Sequence, residues 1–301
     1  MRRSLGTLVS QGNVPLGYPP EWVEGARRRI AEQAPFAGSV VLSDPEIGQI
    51  LTCEGLWQGE RDLALETVES ASCLQSRLTR ELVKDWLVAM KGGESGMPFH
   101  FVDDALNDFD SMDDGILRWI GPQSALERLE TSCEISAVIC RIAEEFKFQA
   151  LSDGLVLGPV ANELDVDGVI LQVTDVDLTI GSHRTSGEAL WPGAVLVGFV
   201  PERPTAVDVD RLGFGALVHT LATGCPPARV VSYGLLSGQG IGLDVERDWL
   251  DMALGGVLAS IPKLMRLDNG EEPLLEPGDH CAKCPLAGDC PFSQDENMRD
   301  W

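Results

Sequence analysis

Residues 167–200, DGVILQVTDVDLTIGSHRTSGEALWPGAVLVGFV, decide the class of fold. The two apolar, β-branched runs in this stretch are short and bounded by Gly, Pro and Asp, the pattern of strands rather than helices. They predict strands over 168–180 and 194–200, and GLVLGPV just upstream adds one at 154–160. Downstream, DRLGFGALVHTLATG predicts a helix over 210–223 that ends near Gly224. ARVVSYGLL predicts a strand over 229–236, and VERDWLDMALGGVLASIPKLMRL an amphipathic helix over 246–264. Upstream, 123–148 is a helix, and 42–90 is helical, with Ser43 as the first cap and a long amphipathic run from 59 to 90. Between them, FVDDALNDFDSMDDG is expected as a solvated loop with helix caps, and His100 beside it as a loop residue. Helices, strands, helix, strand and helix in that order give an α/β fold with a central mixed sheet flanked by helices. The expected division is an N-terminal, mainly helical region over 1–120, a core over 121–265 and an irregular cysteine-rich tail over 266–301.

With 23 Lys and Arg against 47 Asp and Glu, the formal charge is −24. Proteins that grip a duplex without base contacts do so by neutralising phosphates. So acidic a chain is a poor nucleic-acid binder by itself unless its basic residues cluster, as Arg27–Arg29 do in sequence. Such a charge suits either a solubilising surface or a basic protein partner. The first twenty residues are basic but lack the apolar run of a signal peptide, and no stretch of ~18 apolar residues occurs. A cytoplasmic protein without a membrane span is expected.

The eight cysteines are 53, 73, 133, 140, 225, 281, 284 and 290. Cys133 and Cys140 lie two turns apart on one helix face and are expected to pack in a core; Cys73 and Cys225 are also taken as structural. The segment PGDHCAKCPLAGDCPF is different, with Cys281, Cys284 and Cys290 spaced C-x2-C-x5-C in a turn-rich context. Short Gly- and Pro-rich loops let several thiolates converge on one metal. A fourth ligand is then needed, for zinc and iron–sulfur alike. His280 offers a Cys3His zinc site as one alternative, and a disulfide with a spare thiol is another.

This tail, with the helix before it, resembles the C-terminus of RecB-like, PD-(D/E)XK nucleases that carry a 4Fe–4S cluster, such as the CRISPR adaptation nucleases and the AddB helicase–nuclease subunit. In that family three C-terminal cysteines join one far upstream, in a helix running Ser-x-x-x-Ile, then Cys-Pro and an aromatic. Here the counterparts are Ser43, Ile47, Cys53 and Trp57, with Glu54 where the family has Pro. The resemblance therefore implies Cys53, Cys281, Cys284 and Cys290 as cluster ligands. An ordinary buried thiol is the alternative for Cys53.

The same family carries an Asp on one core strand and (Asp/Glu)-x-Lys on the next. These carboxylates hold divalent metal and the Lys positions water. AVLVGFVPERP (194–204) aligns with the second strand and puts Gly198 and Val200 at the acid and the Lys. Gly215 and His219 stand where a following helix offers Gln and Tyr. Gly158 matches the family's glycine, leaving the first acid at Ala161, or at Asp165 or Asp167 after a shift. Glu163, Asp175, Asp177 and Glu202 are further acids nearby. Asp175 and Asp177 alternate onto one strand face, open either to a metal or, as a polar edge, to solvent.

What the resemblance implies is a nuclease-fold subunit that has lost catalysis and serves a DNA-repair, recombination or defence assembly. Its partner would be a helicase, an ATPase or an active nuclease, and DNA would be reached through the complex. Two other readings stay open: an active metal-dependent DNase with displaced acids, and an acidic regulatory or DNA-mimicking protein. His183, in GSHRTSG, is expected in a turn.

Overall fold

The stretch VLVGFV is buried from Val195 to Phe199, and a strand so apolar needs cover on both faces. In the computed structural model, which describes residues 5, 8, 20–34, 38–62, 70–92, 96–108, 112–146, 155–181, 193–284 and 290, it receives that cover. In chain order, the first elements are α1 (Pro20–Ala31), β1 (Val40–Ser43), α2 (Asp44–Thr52), α3 (Glu54–Asp62) and α4 (Ala71–Lys91). Next come α5 (Pro98–Asn107), α6 (Asp114–Ile120), α7 (Ala125–Phe146), β2 (Leu155–Leu157), β3 (Glu163–Val166) and β4 (Val169–Gln172). The last are β5 (Leu178–Ile180), β6 (Val195–Val200), α8 (Ala206–Thr223), β7 (Arg229–Gly234), β8 (Gln239–Asp244) and α9 (Arg247–Asp268).

These elements form an α/β structure of two interleaved compact units. One comprises Met1–Tyr18, Val68–Val160 and Asp175–Val245; the other comprises Pro19–Thr67, Ala161–Thr174 and Glu246–Trp301. Of the regions expected from sequence, 1–120 and 121–265 are each divided between the units, and 266–301 falls wholly in the second.

The first unit is built on a mixed sheet in the order β2-β5-β6-β7-β8. β2, β5 and β6 run antiparallel, β6 and β7 parallel, and β8 returns antiparallel. A parallel pair needs a crossover, and α8 supplies it. Thr205 opens α8 with a capping box to Asp208, and Gly224 closes it at φ 75°. Alternation sorts the sheet's faces. Val195, Val197, Phe199, Val231 and Tyr233 join the core made by Leu82, Trp86, Val102, Ile116, Ile139 and Ile142 of α4–α7. The opposite face lies against α8, where a Cβ on Gly198 would meet Leu212.

β8 was not legible, because QGIGLD lacks the branched alternation of a strand. One of its glycines has a steric reason: a Cβ on Gly240 would collide with Leu8, whose carbonyl accepts a 2.9 Å bond from Arg229 Nη1.

The second unit holds a sheet in the order β1-β4-β3, with β1 parallel and β3 antiparallel to β4. Asp167 (φ 53°) and Gly168 (φ 93°) make the left-handed pair of a tight hairpin, and Asp165 Oδ1 accepts the Gly168 N–H at 2.8 Å. The predicted strand over 168–180 is thus two strands in two sheets. The break falls at Thr174, whose N–H and hydroxyl bond buried Asp44 at 3.0 and 2.7 Å instead of continuing a ladder. Ser43 does start α2, its N–H donating to Glu46 at 2.9 Å. α9 buries Leu250, Leu254, Val257, Ile261 and Leu264, and Trp22 of α1 donates to Asp251 on it at 2.9 Å.

Further expectations need correction. The helical run over 59–90 is α3 and α4, with Ser70 capping the latter and 63–69 outside the described residues. His100 is an exposed helical residue of α5. Cys133 and Cys140 share a face as spacing required, but it is the exposed face of α7; Ile135, Ile139 and Ile142 take the core. Cys73 is exposed as well. His183 lies outside the described residues. Among the described residues, no helix is long and apolar enough to cross a membrane.

Candidate functional site

Within the second unit, Cys53 is the extended residue between two helices (φ −165°, ψ 124°) rather than a position inside one. Its carbonyl accepts the N–H groups of Leu56 and Trp57, which starts α3 and leaves the 7%-exposed thiol at that helix's N-terminus. The tail comes to this thiol from far away in sequence. Glu276 N–H approaches Cys53 Sγ at 3.5 Å, and a Cβ on Gly55 would collide with Leu275. Leu274 N–H donates to Glu54 at 2.8 Å. Residues 53–55 and 274–276 therefore clasp one another.

Glu54 holds the clasp. It is 1% exposed, and its carboxylate pairs with Arg266 and lies 3.8 Å from Lys263, both on α9. Burial works against the charge. The Leu274 N–H, the Arg266 hydrogen bond and the two cations more than offset it, and the carboxyl is held below its ordinary range. Glu54 thus does by charge what a Pro after the cysteine cannot.

Beyond the clasp, Asp279–Lys283 forms a short 3-10 turn. Gly278 N–H approaches Cys281 Sγ at 3.4 Å, and His280 Nε2 lies 3.7 Å from the same sulfur. Cys284 and Cys290 are half-buried, and 285–289 between them are outside the described residues. None of the eight cysteines, all of them within the described residues, forms a disulfide. Among the described residues, no three His, Cys, Asp or Glu side chains are gathered as a metal-ligand group. Two of the four ligands implied by the resemblance, Cys53 and Cys281, receive backbone N–H groups at sulfur.

Gly198, Val200, Gly215 and His219, aligned with the second strand and the following helix of a nuclease site, lie in the first unit. A cavity of about 230 Å³ is lined by Arg80, Asp175, Gly198, Val200, Arg211 and Ser232, among others. Gly198 faces it without room for a side chain, since an added Cβ would stand 2.7 Å from the Asp175 carbonyl oxygen and 2.9 Å from Leu212. Gly198→Ala should therefore destabilise the protein by about 1–3 kcal/mol, read as a lower urea midpoint; an unchanged midpoint would mean the strand relaxes freely. Gly215 is buried in α8, and His219 one turn on is 2% exposed with no hydrogen bond to either ring nitrogen among the described residues.

Asp177 is not the solvent-facing edge residue that alternation allowed. It is fully buried at the entrance to β5. Its Oδ2 accepts the Phe199 N–H at 2.7 Å, and its Oδ1 takes Arg80 Nε at 2.6 Å, with Lys84 Nζ at 3.8 Å. The Gly158 N–H donates to its carbonyl at 2.6 Å. Asp165 and Asp167, the other candidates for a first acid, shape the β3–β4 hairpin of the separate sheet. Arg80 and Lys84, four residues apart on one face of α4, gave no signal in sequence beyond that spacing. Arg27–Arg29 lie in the last half of α1, where Arg28 is 3.9 Å from Glu32.

Compared with known proteins, the chain matches no family model and no curated sequence.

Proposed function

We propose that the chain is a nuclease-inactive, RecB-like iron–sulfur protein that works as a cytoplasmic subunit of a DNA-processing assembly. The observation that carries the loss of catalysis is at β6: Gly198 has no space for a carboxylate, and Val200 supplies no amine. Hydrolysis of a phosphodiester needs acids to hold the metal that generates hydroxide, and their loss costs orders of magnitude in rate. The arrangement also supports the nuclease-like core itself. The strand preceding β6 brings an Asp next to β6, and α8 follows it with Gly215 and His219 on the expected turn.

For the cluster, the support is the C-x2-C-x5-C tail and its clasp onto Cys53. Cys53, Cys281, Cys284 and Cys290 would hold it, and when bound it would staple the tail to α2–α3. Glu54, Gly55 and the Glu276 N–H position that staple from the protein side. The net charge of −24 supports a partner, a helicase, ATPase or active nuclease, that supplies most of the DNA contact.

The test is anaerobic purification. The protein should be brown, with iron and sulfide in the ratio of one 4Fe–4S centre. Serine at 53, 281, 284 or 290 should bleach it, whereas serine at 73, 133, 140 or 225 should not. Stoichiometric zinc from anaerobic preparations would replace the cluster by a Cys3His or four-thiolate zinc site. The holo-protein should leave linear single- and double-stranded DNA intact with magnesium or manganese. Robust cleavage lost on Asp175→Ala would make it an active nuclease.

A further inference from the structure

The carboxyl group of Asp177 is completely buried in the sheet, and a backbone N–H, an arginine and a lysine converge on it. The Phe199 N–H occupies Oδ2 at 2.7 Å; Oδ1 receives Arg80 Nε at 2.6 Å and lies 3.8 Å from Lys84 Nζ. Both cations come from one face of α4 and are about two-thirds shielded, at 34% and 37% side-chain exposure. Arg80 also lines the cavity in front of Gly198, as does Asp175. A buried carboxylate must be paired, by protein cations or by a metal. An arginine and a lysine converging on one acid are an unusual expense of charge for a strand end whose backbone is already satisfied. They are what a site needs when its acid persists and its ion does not.

We propose that Arg80 and Lys84 are a built-in cation for Asp177, occupying at its carboxylate the place a divalent ion would take, so that this acid is closed to metal by substitution. The inference rests on the nuclease-like reading of β5 and β6, and two consequences follow from it. The wild-type protein should not bind a divalent ion through Asp177. Removing the cations should create such a site, with Asp177 as its anchor.

The experiment uses MnCl2 as the probe and the full-length holo-protein. Binding is read from the loss of the aqueous Mn2+ resonance, and thermal unfolding is followed with and without the ion. Wild type should show no binding that Asp177→Asn removes. Arg80→Ala/Lys84→Ala should melt lower without the ion and bind Mn2+ roughly tenfold or more tighter than wild type. Its melting temperature should rise with MnCl2, because the ion replaces the missing charge. Adding Asp177→Asn to that variant should abolish the binding while restoring some stability. Three results would overturn the proposal: no gain in Mn2+ binding by the double variant, a gain that survives Asp177→Asn, or a double variant equally insoluble with and without MnCl2. Asp177-dependent Mn2+ binding and DNA cleavage by wild type would instead sink the nuclease-inactive reading itself.

Discussion

Arg266→Ala should lower the stability of the protein by about 3 kcal/mol and free the segment beyond α9. Glu54 is 1% exposed, so removing its guanidinium partner leaves a buried carboxylate with only the Leu274 N–H and a lysine 3.8 Å away. Arg266 also donates to the Glu272 carbonyl at 2.7 Å, so the same change unties the tail just before the clasp. Removing both charges in Arg266→Ala/Glu54→Gln should recover part of the loss, because no unpaired ion remains. Urea unfolding gives the stability, and limited proteolysis between 269 and 276 gives the tail. A single variant within about 0.5 kcal/mol of wild type would mean that the ion cluster is ornamental. The pH dependence has a defined sign. Glu54 is held below its ordinary pKa, so its contribution is complete at neutral pH and is lost as pH falls through and below the ordinary carboxylate range.

His219 should make the fold sensitive to a milder acid than Glu54 does. Burial brings its pKa from 6.5 down to about 4, and no hydrogen bond to either ring nitrogen within the described residues favours the charged form. The unfolded chain therefore takes up a proton below about 6.5 that the fold refuses until about 4. Stability is fully present above the upper value and falls as pH drops, by about 3 kcal/mol across the window. His219→Phe should flatten that slope while leaving Arg266 and Glu54 untouched. Urea midpoints of the two proteins between pH 4 and 8 measure the difference directly. Equal slopes would show that another group carries the acid sensitivity.

Local patterning reached some of this architecture and stopped where pairing partners lie far apart. The apolar run of β6, the amphipathic α9, the Ser43 cap and the Gly224 terminator are each decided by a few neighbouring residues, and each is found. The alternation over 168–180 changes phase at Thr174–Asp175, two polar residues in succession, but neighbouring residues alone cannot say that the segments on either side join different sheets. Asp177 illustrates the same limit. Period two put it beside Asp175, but its burial depends on Arg80, 97 residues earlier. Seven-residue spacing likewise put Cys133 and Cys140 on one face of α7 without saying which face is wet. The spacing of the C-terminal cysteines was legible, while the Glu54 clasp was not, since its partners are 212 and 220 residues away.

The interleaving of the two units also has a bearing on how the chain is made. The ribosome delivers β8 by residue 244, after which every strand of the five-stranded sheet is available. The other unit cannot reach that point. β1 must wait for β4, whose first partner residues are 40 and 169, and α2 and α3 must wait for α9 and the clasp. At ~5–20 residues per second, α1 to α3 remain without their partner helix for on the order of ten seconds or more. Ile50, Trp57 and the thiol of Cys53 are apolar or reactive surface throughout that interval. The nascent chain thus presents its most vulnerable segment early and shields it last, so folding factors that hold the first sixty residues should raise the yield more than any that act after release.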